Sequence, residues 1–152
     1  MFLGLQVKQC SLRIPIHQAK YVDDMLEKFG FRDAKPALTP MAERPLLTPD
    51  LEGESVDQTY YRSMIGSLMY LTASHPDIMF AVCQCMRYQA NPKLSHLIVV
   101  KRIFWYLKGS PKLGLWYPKN SKFDLYAFAD TNYGGCELDR KSNSSGCQFL
   151  GD

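Results

Sequence analysis

The sequence predicts an α+β protein, and three observations lead to this fold class. Short apolar stretches near both ends predict β-strands, whereas apolar residues between positions 57 and 108 recur at helical spacing. A proline-rich linker over residues 33–58 separates the first elements from these helices. The 152 residues, 46% of them hydrophobic, provide enough apolar material for one core. We therefore expect an N-terminal hairpin and helix, a proline-rich linker, three helices and then antiparallel strands.

The N-terminal elements change from strand spacing to helix spacing. Residues 2–7 and 12–16 place apolar side chains on either side of a polar break, which predicts two short strands joined by a turn. After His17, the apolar residues follow the i, i+3, i+4, i+7 pattern of an amphipathic helix: Val22, Met25, Leu26 and Phe29. Gly30 is well placed to end this helix.

The linker is expected to be irregular, whereas the segment that follows it is expected to be helical. Prolines remove backbone donors and restrict their neighbours, so no long regular element is expected between residues 33 and 58, which contain Pro36, Pro40, Pro45 and Pro49. The first helix of the central region is expected from Asp57 to Ala73. Within it, Gly66 is expected to allow the close approach of a neighbouring segment.

Two more helices and three strands complete the prediction. The second helix is expected to begin at residues 74–77, because Pro76 suits the first helical position and Asp77 complements the helix dipole. Asn91-Pro92 ends it, and the third helix extends to Lys108. The spacing then predicts strands over residues 113–117, 123–129 and 146–150, with Asn120-Ser121 as a turn between the first two.

Composition excludes several classes of protein and site. No apolar run approaches the roughly 20 residues that span a bilayer, and no signal peptide is visible, so we expect an intracellular protein without a membrane partner. The five cysteines are expected to be reduced, and Cys83-Gln84-Cys85 lacks the second pair of ligands that a structural zinc site needs. The histidines His17, His75 and His96 are expected to be surface or capping residues.

The net charge of +3 is unevenly distributed. Residues 59–122 contain nine basic residues and one acid, Asp77, whereas residues 1–58 carry a net −2 and residues 123–152 a net −3. A segment of +8 is typical of a surface that follows a phosphate backbone, although a solvated helical face is the alternative. The candidate nucleic-acid-binding residues are the helical bases of this segment: Arg62, Arg87, Lys93, Lys101, Arg102 and Lys108.

Two acidic motifs could bind metal. Tyr21-Val22-Asp23-Asp24 has the letters of a polymerase metal site, but it lies within the predicted first helix, where adjacent carboxylates point about 100° apart. We therefore interpret Asp23 and Asp24 as a solvated helix face. Asp130 follows an apolar strand, a position that suits a magnesium ligand, although a turn-forming aspartate is the more frequent explanation for such a residue.

Five sequence blocks, in order, resemble copia-type retrotransposon polyproteins and cover nearly the whole chain. They are FLGLQVKQ (2–9), QAKYVDDMLEKFGFRDAKPALTPM (18–41), YRSMIGSLMYLTASHPDIMFAV (61–82), HLIVVKRIFWYLKGSPKLGLWY (96–117) and DRKSNSSGCQFLG (139–151). The resemblance implies that residues 1–56 are the end of a reverse transcriptase palm and a linker. It further implies thumb- and connection-like helices over 57–112, and the truncated start of a ribonuclease H-like domain over 113–152.

The resemblance also implies a function and its missing parts. The polymerase YVDD hairpin of the family would precede residue 2, and Asp130 resembles the first Mg²⁺-binding carboxylate of ribonuclease H, whose acidic partners would follow residue 152. The implied partners are a template-primer duplex or RNA–DNA hybrid and the remainder of the polyprotein. We therefore expect no enzyme in this chain alone, and no bound Mg²⁺, because two-metal hydrolysis needs its carboxylates together.

Three departures from the family pattern favour a decayed copy or a fragment of a longer element. Asn132 replaces the usual second aspartate, His75 replaces an arginine, and Ser145-Gly146 replaces a Gly-Thr order. Two alternative functions stay open. One is a domesticated protein-interaction module that uses residues 94–107 or the exposed face of the thumb-like helices. The other is a small magnesium-dependent nuclease that combines Asp130 with Asp124, Glu137 or Asp139.

Overall fold

The computed structural model describes residues 4–44, 46–119, 122, 124–134, 140 and 142–150. They form a mixed α+β structure of four α-helices and two small antiparallel sheets. The helices are α1 (Ala19–Lys28), α2 (Gln58–Leu71), α3 (Met79–Met86) and α4 (Leu94–Gly109), and a 3₁₀ turn over Pro76–Ile78 precedes α3. The chain divides into two compact units, the first from the described residues of 1–7 and 16–115, the second from those of 8–15 and 116–152.

Helix α1 confirms the predicted amphipathic pattern. Its inward stripe contains Val22, Met25 and Leu26, all buried. Gly30 has a φ of +75°, a left-handed conformation that favours glycine, and its N–H donates to the Glu27 carbonyl at 3.1 Å. The helix therefore ends where the sequence predicted.

Helices α2, α3 and α4 pack with α1 around the core of the first unit. One face of α2 is buried, including Ile65, and the Asp57 side chain caps this helix by accepting from the Tyr60 N–H. The largest completely buried apolar side chains include Tyr61, Phe104, Met64, Leu68 and Leu71. Phe104 packs against Phe29 and Phe31, with ring centroids 5.3 Å and 5.0 Å away. The core thus joins residues that are far apart in sequence.

Residues 32–56, which we call the strap, contain no helix or named strand in their described part. The proline pattern predicted this. The strap nevertheless makes backbone hydrogen bonds to α4 and to the residues just before it: Ala37 N–H donates to the Trp105 carbonyl at 3.1 Å, and Leu94 N–H donates to the Glu54 carbonyl at 2.8 Å. It is therefore a docked segment of the first unit.

The N-terminal hairpin is shorter than predicted and gains a third strand. Strand β1 (Gln6–Val7) pairs antiparallel with β2 (Arg13–His17), and the predicted strand residues Phe2 and Leu3 lie outside the described residues. Strand β3 (Gly114–Pro118) joins them in the order β1-β2-β3. Sequence reasoning grouped residues 113–117 with the strands that follow, because pairing across such a separation has no local signal.

The second sheet is a two-stranded hairpin. Strand β4 (Leu125–Asn132) pairs antiparallel with β5 (Asn143–Leu150) over eight residue pairs, from Leu125 opposite Leu150 to Asn132 opposite Asn143. Both strands were predicted, although each is shifted or extended by a few residues. The predicted turn at Asn120-Ser121 lies outside the described residues.

Candidate nucleic-acid interface

Three of the six candidate nucleic-acid-binding bases hold the strap. Arg102 donates from Nε to the Thr39 carbonyl at 3.1 Å and from Nη2 to the Thr39 hydroxyl at 2.9 Å. Lys108 donates to the Arg32 carbonyl. Lys93 is buried, with 7% of its surface exposed, and its ammonium donates to the Ser55 hydroxyl at 3.1 Å. From Lys93 to Lys108, these cations contact successively earlier residues of the strap, so the strap and α4 have opposite chain directions.

Lys93 belongs to a polar cluster at the start of α4. The His96 ring is buried there, with Nδ1 accepting from the Lys93 backbone N–H at 3.0 Å and Nε2 2.7 Å from the Thr48 carbonyl. Because Nδ1 accepts, Nε2 carries the proton and donates to Thr48. The Tyr88 ring stacks on His96 at 4.2 Å. Asp50 accepts from the Ser95 hydroxyl at 2.6 Å. This cluster fixes the end of the strap.

Two other candidate bases lie near the turn between α3 and α4. Arg62 is exposed on α2, and its Nε donates to the Gln89 carbonyl at 3.1 Å. Gln58 donates to the same carbonyl at 3.2 Å, so two side chains of α2 hold this turn. Arg87 ends α3 only two residues before Gln89. The structure therefore brings Arg62 close to the backbone that carries Arg87.

Gly66 lies one turn after Arg62 on the exposed side of α2. The sequence predicted that this glycine allows a neighbouring segment of the chain to approach. That expectation is wrong for the described residues, because a Cβ at this position would have no heavy atom within 4 Å. The glycine thus leaves a short length of helix backbone open to solvent, next to an exposed guanidinium.

The sixth base, Lys101, is half-buried on α4. Two large apolar side chains of the same helix point away from the core, Leu94 and Ile98, the latter with 51% of its surface exposed. The outer side of α4 therefore combines a cation with apolar surface.

The YVDD letters lie within α1, as the spacing predicted. Val22 is buried, whereas Asp23 and Asp24 are exposed. Tyr21 has a structural role, because its hydroxyl donates to the Ser67 carbonyl at 3.1 Å and its ring packs edge-on against Tyr70 at 4.9 Å. This motif joins α1 to α2.

Two of the three histidines do not lie on the surface. His75 is completely buried, with Nδ1 3.3 Å from Oδ1 of Asp77 and Nε2 without a hydrogen-bond partner among the described residues. Burial alone would raise the pKa of the Asp77 carboxyl, but contacts with His75 and the Tyr106 hydroxyl outweigh it, and this pKa is lowered. The expectation of a surface position is therefore wrong for His75, which occupies the N-cap position of the 3₁₀ turn without a side-chain capping hydrogen bond. His96 does cap α4, but from a buried position.

Asp130 lies near the end of β4, opposite Ser145, and is exposed. Asp124 precedes it by six residues, which at a rise of about 3.3 Å per residue separates their Cα atoms by about 20 Å. Glu137 and Asp139 lie outside the described residues. Within the part of the chain that the structure describes, no three side chains of His, Cys, Asp or Glu form a metal-binding cluster.

The cysteines that the structure describes are free thiols, and Cys136 lies outside those residues. Cys85 is buried in the core, where burial raises the pKa of its thiol to about 12, and its carbonyl accepts from the Tyr61 hydroxyl at 2.8 Å.

None of the helices in the described residues is long and apolar enough to cross a membrane.

Comparison with known proteins identifies the family. The chain is 34% identical to the retrovirus-related Pol polyprotein from transposon RE1 of Arabidopsis thaliana, over 99% of this chain and 10% of that protein. It is 30% identical to the corresponding polyprotein from transposon TNT 1-94 of Nicotiana tabacum, over 97% of this chain and 12% of that protein. The chain belongs to the copia-type retrotransposon Pol family.

A third relative has a different size. The uncharacterized mitochondrial protein AtMg00810 of Arabidopsis thaliana is 37% identical over 99% of this chain, which spans 62% of that protein. No protein-family model and no solved structure matches the chain. This Pol segment therefore covers about a tenth of the named polyproteins and less than two thirds of the mitochondrial relative.

Proposed function

We propose that the first unit of this Pol segment binds the backbone of a template-primer or RNA–DNA duplex along the exposed face of α2. In this proposal, residues 57–112 act as thumb- and connection-like helices, and the remainder of the polyprotein supplies the polymerase site. The observation that carries the proposal is that exposed Arg62 and Gly66, one turn later, lie on the same face of α2. We infer that this face is where the nucleic acid approaches most closely.

Gly66 supports the proposal because nothing in the described part of the chain requires a glycine there. A glycine within a helix costs roughly 0.5–1 kcal/mol relative to alanine. Its Cβ position faces open space, so internal packing does not explain that cost. A sugar-phosphate backbone in contact with the helix would explain it, because a side chain at this position would hold the duplex away.

The candidate bases of this segment, which has a net charge of +8, have different positions. Arg62 lies on the proposed binding face of α2 and Arg87 follows α3 close to it, whereas Lys101 lies on the outer side of α4. Lys93, Arg102 and Lys108 bind the strap, and buried Lys93 is left out of the proposed surface. A cation bonded to the strap still adds to the positive field, which attracts phosphates over about a Debye length.

For residues 113–152 we propose the start of a ribonuclease H-like region. In the parent family Mg²⁺ would activate the hydrolytic water, and Asp130 is the residue of this chain that would contribute to holding it. The described residues do not form a complete site, because Asp130 is exposed and belongs to no cluster of three or more possible metal ligands among them. We therefore propose that this chain alone does not cleave RNA.

The decisive measurement is the salt dependence of binding. Anisotropy of a labelled RNA–DNA hybrid should show affinity that falls steeply between about 50 mM and 200 mM salt. Arg62→Gln should reduce the slope of log affinity against log salt by about 1. Arg32→Gln is the matched control, because Arg32 is an exposed arginine outside the basic segment, paired with Glu27 at 3.4 Å. A wild-type chain that shows no salt-dependent binding overturns the proposal.

Gly66 provides a second test with two readouts that move in opposite directions. Gly66→Gln should raise the free energy of unfolding, because glutamine is a good helix former, yet weaken hybrid binding several-fold by blocking the approach. Denaturant unfolding and anisotropy on the same sample measure both. Equal affinity of the variant and the wild type would show that the duplex does not contact this face.

The alternative is a protein-interaction module without nucleic-acid activity. Exposed Leu94 and Ile98 on α4 favour it, because large apolar side chains on a helix surface are frequent in protein interfaces. No binding of the hybrid, together with loss of a protein partner in Ile98→Asp, would favour this function.

A further inference from the structure

We propose that Thr39 is a phosphorylation site and that the Arg102 guanidinium receives its phosphate. This inference is independent of nucleic-acid binding. It begins with the position of Thr39, an exposed residue in an irregular part of the strap. Leu38 before it is 96% exposed, and residues 38–40 form a bend in which Pro40 directly follows Thr39. An exposed Thr-Pro dipeptide outside regular secondary structure is the type of acceptor that proline-directed serine/threonine kinases bind.

The receiving group is already in place. Arg102 Nη2 lies 2.9 Å from the Thr39 hydroxyl oxygen, and Arg102 Nε holds the Thr39 carbonyl at 3.1 Å. A phosphate on this hydroxyl would therefore begin within hydrogen-bonding distance of a guanidinium. Arginine binds phosphate oxygens with two parallel charge-assisted bonds, which are stronger than bonds between neutral groups.

In the part of the chain that the structure describes, Arg102 has no acidic partner. The close contacts between a basic and an acidic side chain there join Arg32 to Glu27 and His75 to Asp77, and Arg102 takes part in neither. Its bonds to Thr39 are to a neutral hydroxyl and a neutral carbonyl. A phosphate with about −1.5 to −2 charges would supply the missing counter-charge and tighten the strap on α4.

A second Thr-Pro dipeptide in the strap provides an internal control. Thr48 is exposed and is followed by Pro49, but the bond it makes is through its backbone carbonyl, to the His96 ring. No hydrogen bond from a cation reaches the Thr48 hydroxyl in the described part of the chain. A phosphate on Thr48 would therefore lack the guanidinium that Thr39 has.

The chemistry is a phosphoryl transfer from ATP. The Thr39 Oγ1 atom forms a bond to the γ-phosphorus, the bond from that phosphorus to the β,γ-bridging oxygen breaks, and ADP leaves. The hydroxyl proton passes to a base of the kinase. The strap gains a dianion at the site of a neutral hydroxyl.

The test uses the full chain with a proline-directed serine/threonine kinase, Mg²⁺ and ATP under native conditions. Peptide mass spectrometry should find phosphate on Thr39. In a phosphorus NMR titration, the second pKa of this phosphate should lie about 0.5 pH units lower in the wild type than in Arg102→Gln. Phosphate on Thr48, measured in Thr39→Ala, should titrate identically with and without Arg102.

Arg102→Lys extends the test if Arg102→Gln loosens the strap, and circular dichroism reports folding of both. The lysine variant keeps a charge without the two-pronged geometry and should titrate between the other two. No phosphate on Thr39 in the native chain overturns the site. Phosphate on Thr39 that titrates identically in all three proteins overturns the role of Arg102.

Discussion

The first unit and the β4–β5 hairpin contain similar apolar side chains but bury them very differently. Phe104 on α4 is completely buried between Phe29 and Phe31, whereas Phe128 on β4 has 63% of its surface exposed. In the helices, stripes on four elements converge, so one core shields them all. In the described residues, β4 and β5 pair only with each other, and a two-stranded ribbon cannot cover both its faces. Regular secondary structure alone therefore does not produce a core.

Replacement of equivalent phenylalanines should give the largest difference between the two regions. Phe104→Ala should lower the free energy of unfolding by about 3–5 kcal/mol, because it removes a buried ring and leaves a cavity. Phe128→Ala should change it by less than about 0.5 kcal/mol, since that side chain is already exposed. Urea unfolding monitored by circular dichroism measures both. Similar losses in the two variants would show that the hairpin is covered in solution.

Removal of the His96 ring would show how much the docked strap contributes to the stability of the first unit. His96→Ala should cost about 2–3 kcal/mol, because the Lys93 N–H and the Thr48 carbonyl lose their partner and the ring no longer stacks on Tyr88. Tyr88→Phe is the milder comparison, because it removes one hydrogen bond, to the Leu47 carbonyl, and should cost about 1 kcal/mol. An unchanged unfolding free energy for His96→Ala would mean that the strap is not docked.

Adding one methyl group at a glycine in each region would compare how tightly the two regions are packed. A Cβ on Gly114 would lie 2.2 Å from the Ile16 carbonyl oxygen, so Gly114→Ala should cost about 1–3 kcal/mol. A Cβ on Gly146 would meet its nearest atom, the Phe128 carbonyl oxygen, at 3.8 Å. Gly146→Ala should therefore be tolerated to within about 0.5 kcal/mol. Equal costs in thermal unfolding would contradict this close approach of β3 to β2.

The smallest effect should be a pH dependence that originates in the first unit. Because contacts with His75 and Tyr106 lower the pKa of Asp77, its carboxylate stabilises the fold above its ordinary pKa of 3.8, and this contribution is lost as the pH falls through the lowered value. Asp77→Asn should therefore flatten the loss of stability below pH 3.8. Asp130→Asn in the hairpin is the control, and an equal effect there would contradict this assignment.

The sequence predicts the structure most accurately where the signal is local. Helix α1 ends just before Gly30, α2 begins directly after Asp57, and the described part of the strap contains no helix or named strand, as predicted. These features depend on a few neighbouring residues, so their sequence pattern determines them. The same local period placed Asp23 and Asp24 on a solvated helix face.

Prediction failed where a side chain meets a distant partner. The sequence did not show that His75 and His96 are buried. It also did not show that three of the candidate cations bind the strap, because each of them lies 38 to 76 positions from its partner: Lys93, Arg102 and Lys108. The identity of a basic residue does not show whether its side chain faces solvent or donates to a carbonyl or hydroxyl group. The sequence therefore could not show which of the six candidate bases bind the strap.

The sequence by itself determined the copia-type Pol family, the α+β class, the helical segments and their charge, because ordered motifs and short periods are written in neighbouring residues. The tertiary structure alone decided which of the candidate cations bind the strap. It also revealed that Gly66 faces open space and that the hairpin exposes its aromatic residues. The physical reason is that burial and hydrogen bonding depend on which distant segments meet, and no local pattern encodes that.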